Sequence, residues 1–192
     1  MKVAIVWCSS ATYNKRLVAP AMPWVRTSRA DARAAALADR HYSRKTVGAA
    51  QFVPPGRCLV LLTEAADALW VSSWPYTQYV KHAWAGAWLC SLFRNESAYL
   101  SSDLIRWAVS ATCFLWGPAP EQGIITFVDT TKVRKKRDWG RCYRRAGWQQ
   151  VGYTRNGLVV LQQRPCDMPA PVPACGVQLP LLPAVQEMKV RC

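Results

Sequence analysis

The sequence predicts a mixed α/β (α+β) fold, in which helices flank one central, mainly antiparallel sheet. Helix-like and strand-like apolar patterns alternate along residues 1–164, and two pairs of strands are separated only by short turns. Half of the 192 residues are apolar, which is enough for one core. Six of the 13 prolines and no aromatic residue fall in the last 28 positions. We therefore expect a domain over 1–164 and a Pro-rich extension over 165–192.

The first half of the domain contains one predicted helix and three predicted strands. The helix runs from Ser28, where a capping-box pattern occurs, to about His41. Two apolar runs, Cys58 to Glu64 and Leu69 to Trp74, are joined by a short Ala/Asp turn and predict a hairpin. A third strand is predicted over Trp88 to Arg94.

The second half contains two helices and three strands. A cap at Ser101 to Asp103 and apolar residues at helical spacing predict a helix over 102–116, ended by a Gly-Pro pair. Ile124 to Val128 is a short buried strand, and a short basic helix follows over about 136–146. The strands Trp148 to Tyr153 and Leu158 to Gln163 are joined through Asn-Gly, a strong hairpin signal.

The charge balance points to a polyanionic partner. The chain has 25 Lys and Arg against 11 Asp and Glu, a net charge of +14, and an Arg-rich excess of this size favours nucleic acid over a smaller CoA-type phosphate ligand. Eight basic residues lie between positions 132 and 145, interleaved with aromatic residues. They are Lys132, Arg134, Lys135, Lys136, Arg137, Arg141, Arg144 and Arg145. We expect phosphate contacts here, with a plain solvated surface as the alternative.

The cysteine and histidine pattern argues against a metal site. The eight cysteines form no C-x2-C pair, and neither His41 nor His82 has a cysteine close by, so we expect no metal and free thiols in a reducing cytoplasm. The apolar run Val3 to Cys8 is shorter than a signal-peptide core, and no apolar stretch reaches the length of a membrane span. We expect a soluble cytoplasmic protein without a membrane partner.

The local sequence identifies only a few candidate binding or catalytic residues. The first turn of the helix at Ser101 and Ser102 presents free N–H groups that suit an anion, although helix capping is the simpler role. Asp129 follows a buried strand, where a catalytic base or a turn-forming residue is typical. His41 closes the first helix, where a catalytic role competes with a dipole contact. Serine-hydrolase, Walker A and dinucleotide-binding motifs are absent from the sequence.

One C-terminal segment resembles a known enzyme family. Ile124 to Asp129, followed by Gly140 to Gly152, resembles the C-terminal half of the GNAT family of N-acetyltransferases, with Tyr143, Gly147 and Trp148 in the matching positions of its helix-to-strand motif. The order of elements over about 28–164 also resembles that family. The glycine-rich turn that precedes the central helix in the family is replaced here by residues 94–102.

Four further segments are similar to phage DNA-hypermodification proteins within this fold: Asp39 to Arg44, Gln51 to Arg57, Trp88 to Asn95 and Phe127 to Arg134. That branch includes acetyltransferases that acylate 5-aminomethyl-deoxyuridine and Mom-like proteins that alter adenine. The resemblance implies a phage DNA N-acetyltransferase of thymidine hypermodification, which evades host restriction. Its donor would be acetyl-CoA and its partner DNA carrying a modified base.

The resemblance also implies roles for individual residues. Tyr143 would protonate the departing thiolate, and Asp129, with His41, would accept the proton of the acceptor amine. A groove between the strand Trp88 to Arg94 and the next strand would admit the pantetheine of acetyl-CoA. The expected donor-binding residues are Leu92, Phe93, Arg94, Ser101 and Ser102. The expected DNA-binding residues are Lys132, Arg134, Lys135, Lys136, Arg137, Arg141 and Arg144.

Alternatives remain open at the level of sequence. Mom-like modification of adenine, acetylation of a protein or small molecule, and DNA binding without catalysis all fit the basic composition. A substituent on C5 of a pyrimidine projects into the major groove, which favours the thymine-derived acceptor because the base need not leave the stack. Trp84, Trp88 and Tyr99 could stack on an extruded base, although packing in the core explains them equally well.

Overall fold

The structure, a computed structural model, describes residues 22–80, 82–133 and 138–176, apart from the Tyr79 side chain. These residues form seven strands, β1 (Trp24–Thr27), β2 (Arg57–Thr63), β3 (Ala68–Trp74), β4 (Trp88–Asn95), β5 (Ile124–Val128), β6 (Gln149–Tyr153) and β7 (Val159–Gln163). They also form three α-helices, α1 (Ala32–Asp39), α2 (Ser101–Trp116) and α3 (Arg141–Arg145).

All seven strands belong to one sheet, in the order β1-β2-β3-β4-β5-β7-β6. Neighbouring strands are antiparallel except β4 and β5, which are parallel and connected through α2. The predicted mixed fold with a mainly antiparallel sheet is confirmed. The single parallel pair is a consequence of the long connection, because a parallel strand requires a crossover rather than a tight turn.

The two faces of the sheet are covered by different elements. Helices α2 and α3 pack on one face over Trp70, Trp88 and Leu161, whereas α1 packs on the other face over Val60 and Leu69. Burial of a large apolar side chain contributes about 1.5–3 kcal/mol. Two covered faces therefore hold the central strands rigidly, and these strands carry much of the site described below.

The first described strand and helix, β1 and α1, differ from the sequence prediction. Helix α1 begins at Ala32 rather than Ser28, because the Asp31 carboxylate caps it by accepting the Arg33 N–H at 2.9 Å. Ser28 lies in the preceding turn, where its hydroxyl accepts the Ala30 N–H. The helix ends at Asp39, so His41 belongs to the loop that follows. Strand β1 was not predicted, since four residues are too few to show an alternating pattern.

The later helices also depart from prediction at their N-termini. Helix α2 begins at Ser101 with Leu100 at the N-cap position, so the predicted cap at Ser101 to Asp103 is wrong. Helix α3 covers only Arg141 to Arg145 instead of about 136–146, since Gly140 at its N-cap adopts a left-handed conformation; residues 134–137 lie outside the described part. No described helix combines the length and the hydrophobicity needed to cross a bilayer.

The first part of the Pro-rich extension lies against the domain. The Ser110 hydroxyl on α2 donates to the Ala170 carbonyl, and the Cys175 N–H donates to the Trp24 carbonyl at 2.7 Å. Ala174 is buried in the core below α2. The described part of the extension contains only a 3₁₀ turn at Pro165–Asp167 and a single bridge between Cys175 and Val25. Prolines leave few backbone donors to satisfy, which lets this segment pack along the surface.

Candidate functional site

A cleft opens where the two parallel strands cease to pair. Strands β4 and β5 are in register only from Trp88 to Cys90 and from Ile124 to Thr126, although β4 continues to Asn95. Beyond this point lies a cleft of about 450 Å³, within the usual range of ligand pockets, about 300–1,000 Å³. The register between β3 and β4 shifts at Ser91, as in a β-bulge. A bulge bends and twists its strand, which helps β4 to turn away from β5.

The backbone of β4 forms one wall of this cleft. On its other edge β4 pairs with β3 as far as Asn95, whereas the edge toward β5 has no strand partner after Cys90. Leu92 and Phe93 line the cleft, together with Ser91. Backbone polar groups that point away from β3 along this wall are therefore placed to face a bound molecule.

Tyr143 closes the cleft on the face of the sheet covered by α2 and α3. Its side chain is only 9% exposed, and its hydroxyl lies 3.5 Å from the Cys90 thiol. The ring contacts Phe93 and Trp148 edge-on, at centroid distances of 6.1 and 5.1 Å. Burial raises the pKa of the Tyr143 hydroxyl well above its usual value of 10. The hydroxyl is therefore protonated at neutral pH and is held in a fixed position.

His41 and Tyr42 reach the cleft from the loop after α1. The Ser43 N–H donates to His41 Nδ1 at 3.3 Å, and the Ser43 hydroxyl lies 2.7 Å from the same nitrogen. Burial, aided by the nearby Arg94 guanidinium, lowers the pKa of His41 to about 4. His41 is consequently neutral near pH 7 and a weaker base than the sequence analysis supposed. Burial raises the pKa of Tyr42, whose ring contacts His41 at 4.4 Å.

Asp129 lies at the end of β5 and lines the cleft. Its carboxylate accepts hydrogen bonds from the Thr131 N–H at 3.0 Å and the Thr131 hydroxyl at 2.6 Å, and Lys132 Nζ is 3.9 Å away. These contacts lower its pKa. Asp129 therefore both stabilises the turn and lines the cleft, and its carboxylate is ionised at neutral pH.

The predicted donor-phosphate residues do not come together in the cleft lining. The Arg94 side chain pairs with Glu96 at 2.6 Å and donates to the Arg40 carbonyl, so it is engaged with protein groups in this structure, and its contact with phosphate stays a prediction. Glu96 is shared by Arg40 and Arg94, which lower its pKa to about 2. Ser101 and Ser102 lie in the first turn of α2, and Leu100 contributes no capping side chain to the N–H groups there.

The basic segment is described only in part. Lys132 is exposed at the rim of the cleft. Arg141 and Arg144 both pair with Asp138, and the Arg144 guanidinium lies 5.0 Å from the centre of the Trp139 ring. Exposed pairs of this kind are worth less than about 1 kcal/mol, so they can yield to phosphate. Arg134, Lys135, Lys136 and Arg137 lie outside the described residues.

The aromatic residues proposed to stack on a base have different positions. Trp88 is fully buried, so its packing role is correct and its stacking role is wrong. Trp84 packs near Gly152 on the face carrying α1, and Tyr99 is 45% exposed beside the start of α2. Neither lines the cleft, whereas Phe127 does.

Several cleft residues were not predicted as site residues from the sequence. Tyr42, Cys90, Thr126 and Phe127 all line the cleft. The Thr126 hydroxyl donates to the Cys90 carbonyl at 3.0 Å across the last paired position of the two strands. Residues 90, 126 and 127 lie in predicted strands, and residues 42, 90 and 127 also lie in the segments similar to phage proteins, but neither signal shows where strand pairing ends.

Comparisons with known proteins give no family for this chain. A scan against family models, a search of curated proteins and a search of solved structures found no match. Within the described ranges, no group of three His, Cys, Asp or Glu side chains is placed to hold a metal ion. Function is therefore inferred from the residues of the cleft and the motif around Tyr143.

Proposed function

We propose that this chain is a GNAT-type N-acetyltransferase that modifies phage DNA. Its donor is acetyl-CoA, and its acceptor is the aminomethyl group of 5-aminomethyl-deoxyuridine in thymidine hypermodification. One observation carries the proposal. The cleft between the separating strands β4 and β5 lies where the resemblance implies a pantetheine groove, and Tyr143, implied as the acid, closes that cleft.

The donor would lie along the unpaired edge of β4. The donors for the thioester carbonyl, whose oxygen gains negative charge as the amine attacks, would be those backbone N–H groups among Ser91 to Phe93 that point away from β3. The pyrophosphate would bind at the N-terminus of α2, where the helix dipole favours an anion and no side chain caps the helix. Arg94 can contribute only by exchanging Glu96 for phosphate.

The reaction forms one C–N bond and breaks one C–S bond. The neutral acceptor amine attacks the acetyl carbon, and its surplus proton passes to the Asp129 carboxylate, either directly or through water. The CoA thiolate leaves and takes the proton of the Tyr143 hydroxyl, which solvent then restores. The raised pKa keeps that hydroxyl protonated at neutral pH and also makes it a weaker acid, so its contribution would come from its position beside the leaving thiolate. A positioned general acid contributes about 10²–10⁴ in rate.

Charge supports DNA as the acceptor. The net charge is +14, and Lys45 and Lys132 are exposed at the rim of the cleft. Cations there would contact phosphates on either side of the modified nucleotide. Because such contacts release counterions, activity on DNA should fall steeply with salt, whereas acetylation of a small neutral amine should not.

A second candidate is Mom-like modification of adenine in phage DNA. The charges at the cleft favour it. Arg44, Lys45 and Lys132 line the cleft, whereas Asp129 is its only carboxylate among the described residues and already accepts two hydrogen bonds. This surrounding suits a neutral aromatic amine better than an alkylammonium.

Nucleoside mass spectrometry tests the proposal and separates its rivals. The protein is incubated with acetyl-CoA and with duplexes that contain either 5-aminomethyl-deoxyuridine or only the four ordinary bases. An acetyl group on the aminomethyl nucleoside supports the preferred acceptor, and a modified deoxyadenosine supports the second candidate. DNA binding without any mass change, together with no acetyl-CoA binding by calorimetry, would show a non-catalytic binding protein.

A further inference from the structure

The reacting end of the cleft is recessed below the protein surface. The side chains of Cys90 and Tyr143 are 3% and 9% exposed, and they meet at the floor of the cleft. The rim is accessible, since Tyr42 is 36% exposed and Lys45 and Lys132 are exposed. A molecule that reacts beside Tyr143 must therefore extend inward from this rim.

The amine of a paired base has little reach into such a cleft. One methylene places an amine only about 2.5 Å from the pyrimidine ring, because each of the two bonds is about 1.5 Å long. In B-DNA that amine lies in a major groove about 8.5 Å deep. The amine of a paired base thus lies below the outer surface of the duplex, while the groups it would have to reach are themselves buried at the cleft floor. The same holds for the amine of a paired adenine.

The walls of the cleft are suited to a flat ring. Phe127 projects from β5 on the face that carries α1, and its ring is fixed edge-on against His82 at 5.2 Å. Tyr42 and Pro54 reach the cleft from the loop after α1. Phe127 is only half-buried, so part of its ring is available for contact with a ligand. Aromatic side chains of this kind stack on bases of any sequence.

We propose that the nucleotide to be modified leaves the duplex and enters this cleft, with its base against Phe127 and its phosphates beside Lys45 and Lys132. This inference rests on the proposed function, because it takes DNA as the acceptor. It replaces the expectation that a C5 substituent is reached without extrusion. The burial of the cleft floor, which the sequence did not reveal, is the reason.

Extrusion predicts a preference for weakly paired targets. Unpairing and unstacking cost least for a mismatched or single-stranded base, so transfer to a target opposite a mismatch should be about tenfold faster or more than transfer to the matched duplex. Rates are compared for acetyl transfer to 5-aminomethyl-deoxyuridine placed opposite adenine, opposite cytosine and in a single strand of the same sequence. A protein that acts on the stacked base would prefer the matched duplex or show no preference.

Fluorescence of 2-aminopurine opposite the target reports extrusion separately from chemistry. Wild-type protein should raise the emission several-fold, and Phe127→Ala should abolish most of the rise, whereas Phe127→Leu should retain an intermediate part. Tyr153→Ala is the matched control, because Tyr153 is 63% exposed on β6 and does not line the cleft. Circular dichroism confirms that each variant is folded.

The outcomes distinguish the two proposals. Acetyl transfer that ignores the mismatch, with no rise in emission, overturns extrusion and leaves the proposed function standing. Full emission with Phe127→Ala overturns the stacking role of that residue. A wild-type protein that raises emission but transfers no acetyl group to any base overturns the proposed function and supports extrusion.

Discussion

Replacing Tyr143 with Phe separates the chemical role of this residue from its packing role. The ring contacts with Phe93 and Trp148 are kept, and the hydroxyl loses its 3.5 Å contact with the Cys90 thiol. A net hydrogen bond is worth about 1 kcal/mol, and a long contact to sulfur is worth less. Tyr143→Phe should therefore change the free energy of unfolding by no more than about 1 kcal/mol. Tyr143→Ala also removes the ring and should cost about 3–5 kcal/mol.

Activity should respond in a different way to the same change. Loss of a positioned general acid lowers the rate of acetyl transfer by about 10²–10⁴, whereas acetyl-CoA affinity should stay the same because no charge or ring is removed. The rate is measured as acetylated nucleoside per unit time, affinity by calorimetry and stability by urea unfolding. Tyr153→Phe, a change at an exposed tyrosine on β6, is the control and should match the wild type.

Two results would refute this reasoning. A Tyr143→Phe variant that transfers acetyl groups at the wild-type rate shows that the hydroxyl is not the acid. A variant that loses several kcal/mol of stability shows that the hydroxyl is mainly structural, and its lost activity would then say nothing about proton transfer.

Three further changes test the pH response, the fold and the DNA contact. Because the pKa of His41 is lowered to about 4, the unfolded chain binds a proton that the folded chain excludes, and stability should fall by at most about 2 kcal/mol from about pH 7 to about pH 5. Urea unfolding of His41→Asn should lack this fall, and an unchanged pH profile would contradict the assignment. Gly123→Ala should lower the melting temperature far more than Gly157→Ala, because both have positive φ but only at Gly123 would a Cβ meet a β7 carbonyl oxygen; equal shifts would argue against this turn geometry. Lys45→Ala should reduce the slope of log K against log salt for DNA by about 0.9, while Arg164→Ala, an exposed arginine outside the cleft lining, should not; equal slopes would remove Lys45 from the interface.

Elements with a strong local pattern were predicted nearly to the residue. The predicted strand Ile124 to Val128 agrees with β5, and the predicted helix over 102–116 differs from α2 by one residue at its start. Elements that depend on tertiary contacts were not predicted so closely. Strand β1 has four residues and forms because β2 and Cys175 are there to pair with it. The start of α1 depended on whether Ser28 or Asp31 became the N-cap, and the local sequence is compatible with either residue in that role.

The candidate site was predictable only in part, for a similar reason. Asp129 and Tyr143 stood out because one ends a strand and the other lies in a recognisable motif. Tyr42 and Phe127 did not, because nothing in their local sequence shows that they line one cleft. The ion pair between Arg94 and Glu96 was not predicted, since it depends on side-chain rotamers rather than on strand position.

The sequence by itself determined the mixed fold class, the positions of most strands and helices, and the large positive charge. The fold class and the elements follow from the periodicity of hydrophobic residues and from turn residues, which are signals within short segments, and the charge follows from composition. Only the tertiary structure decided that β4 and β5 stop pairing after Cys90 and Thr126, and that Tyr143 then closes the gap. The length of strand pairing depends on twist, on a bulge and on packing from both faces of the sheet. These are properties of the assembled sheet rather than of any one segment.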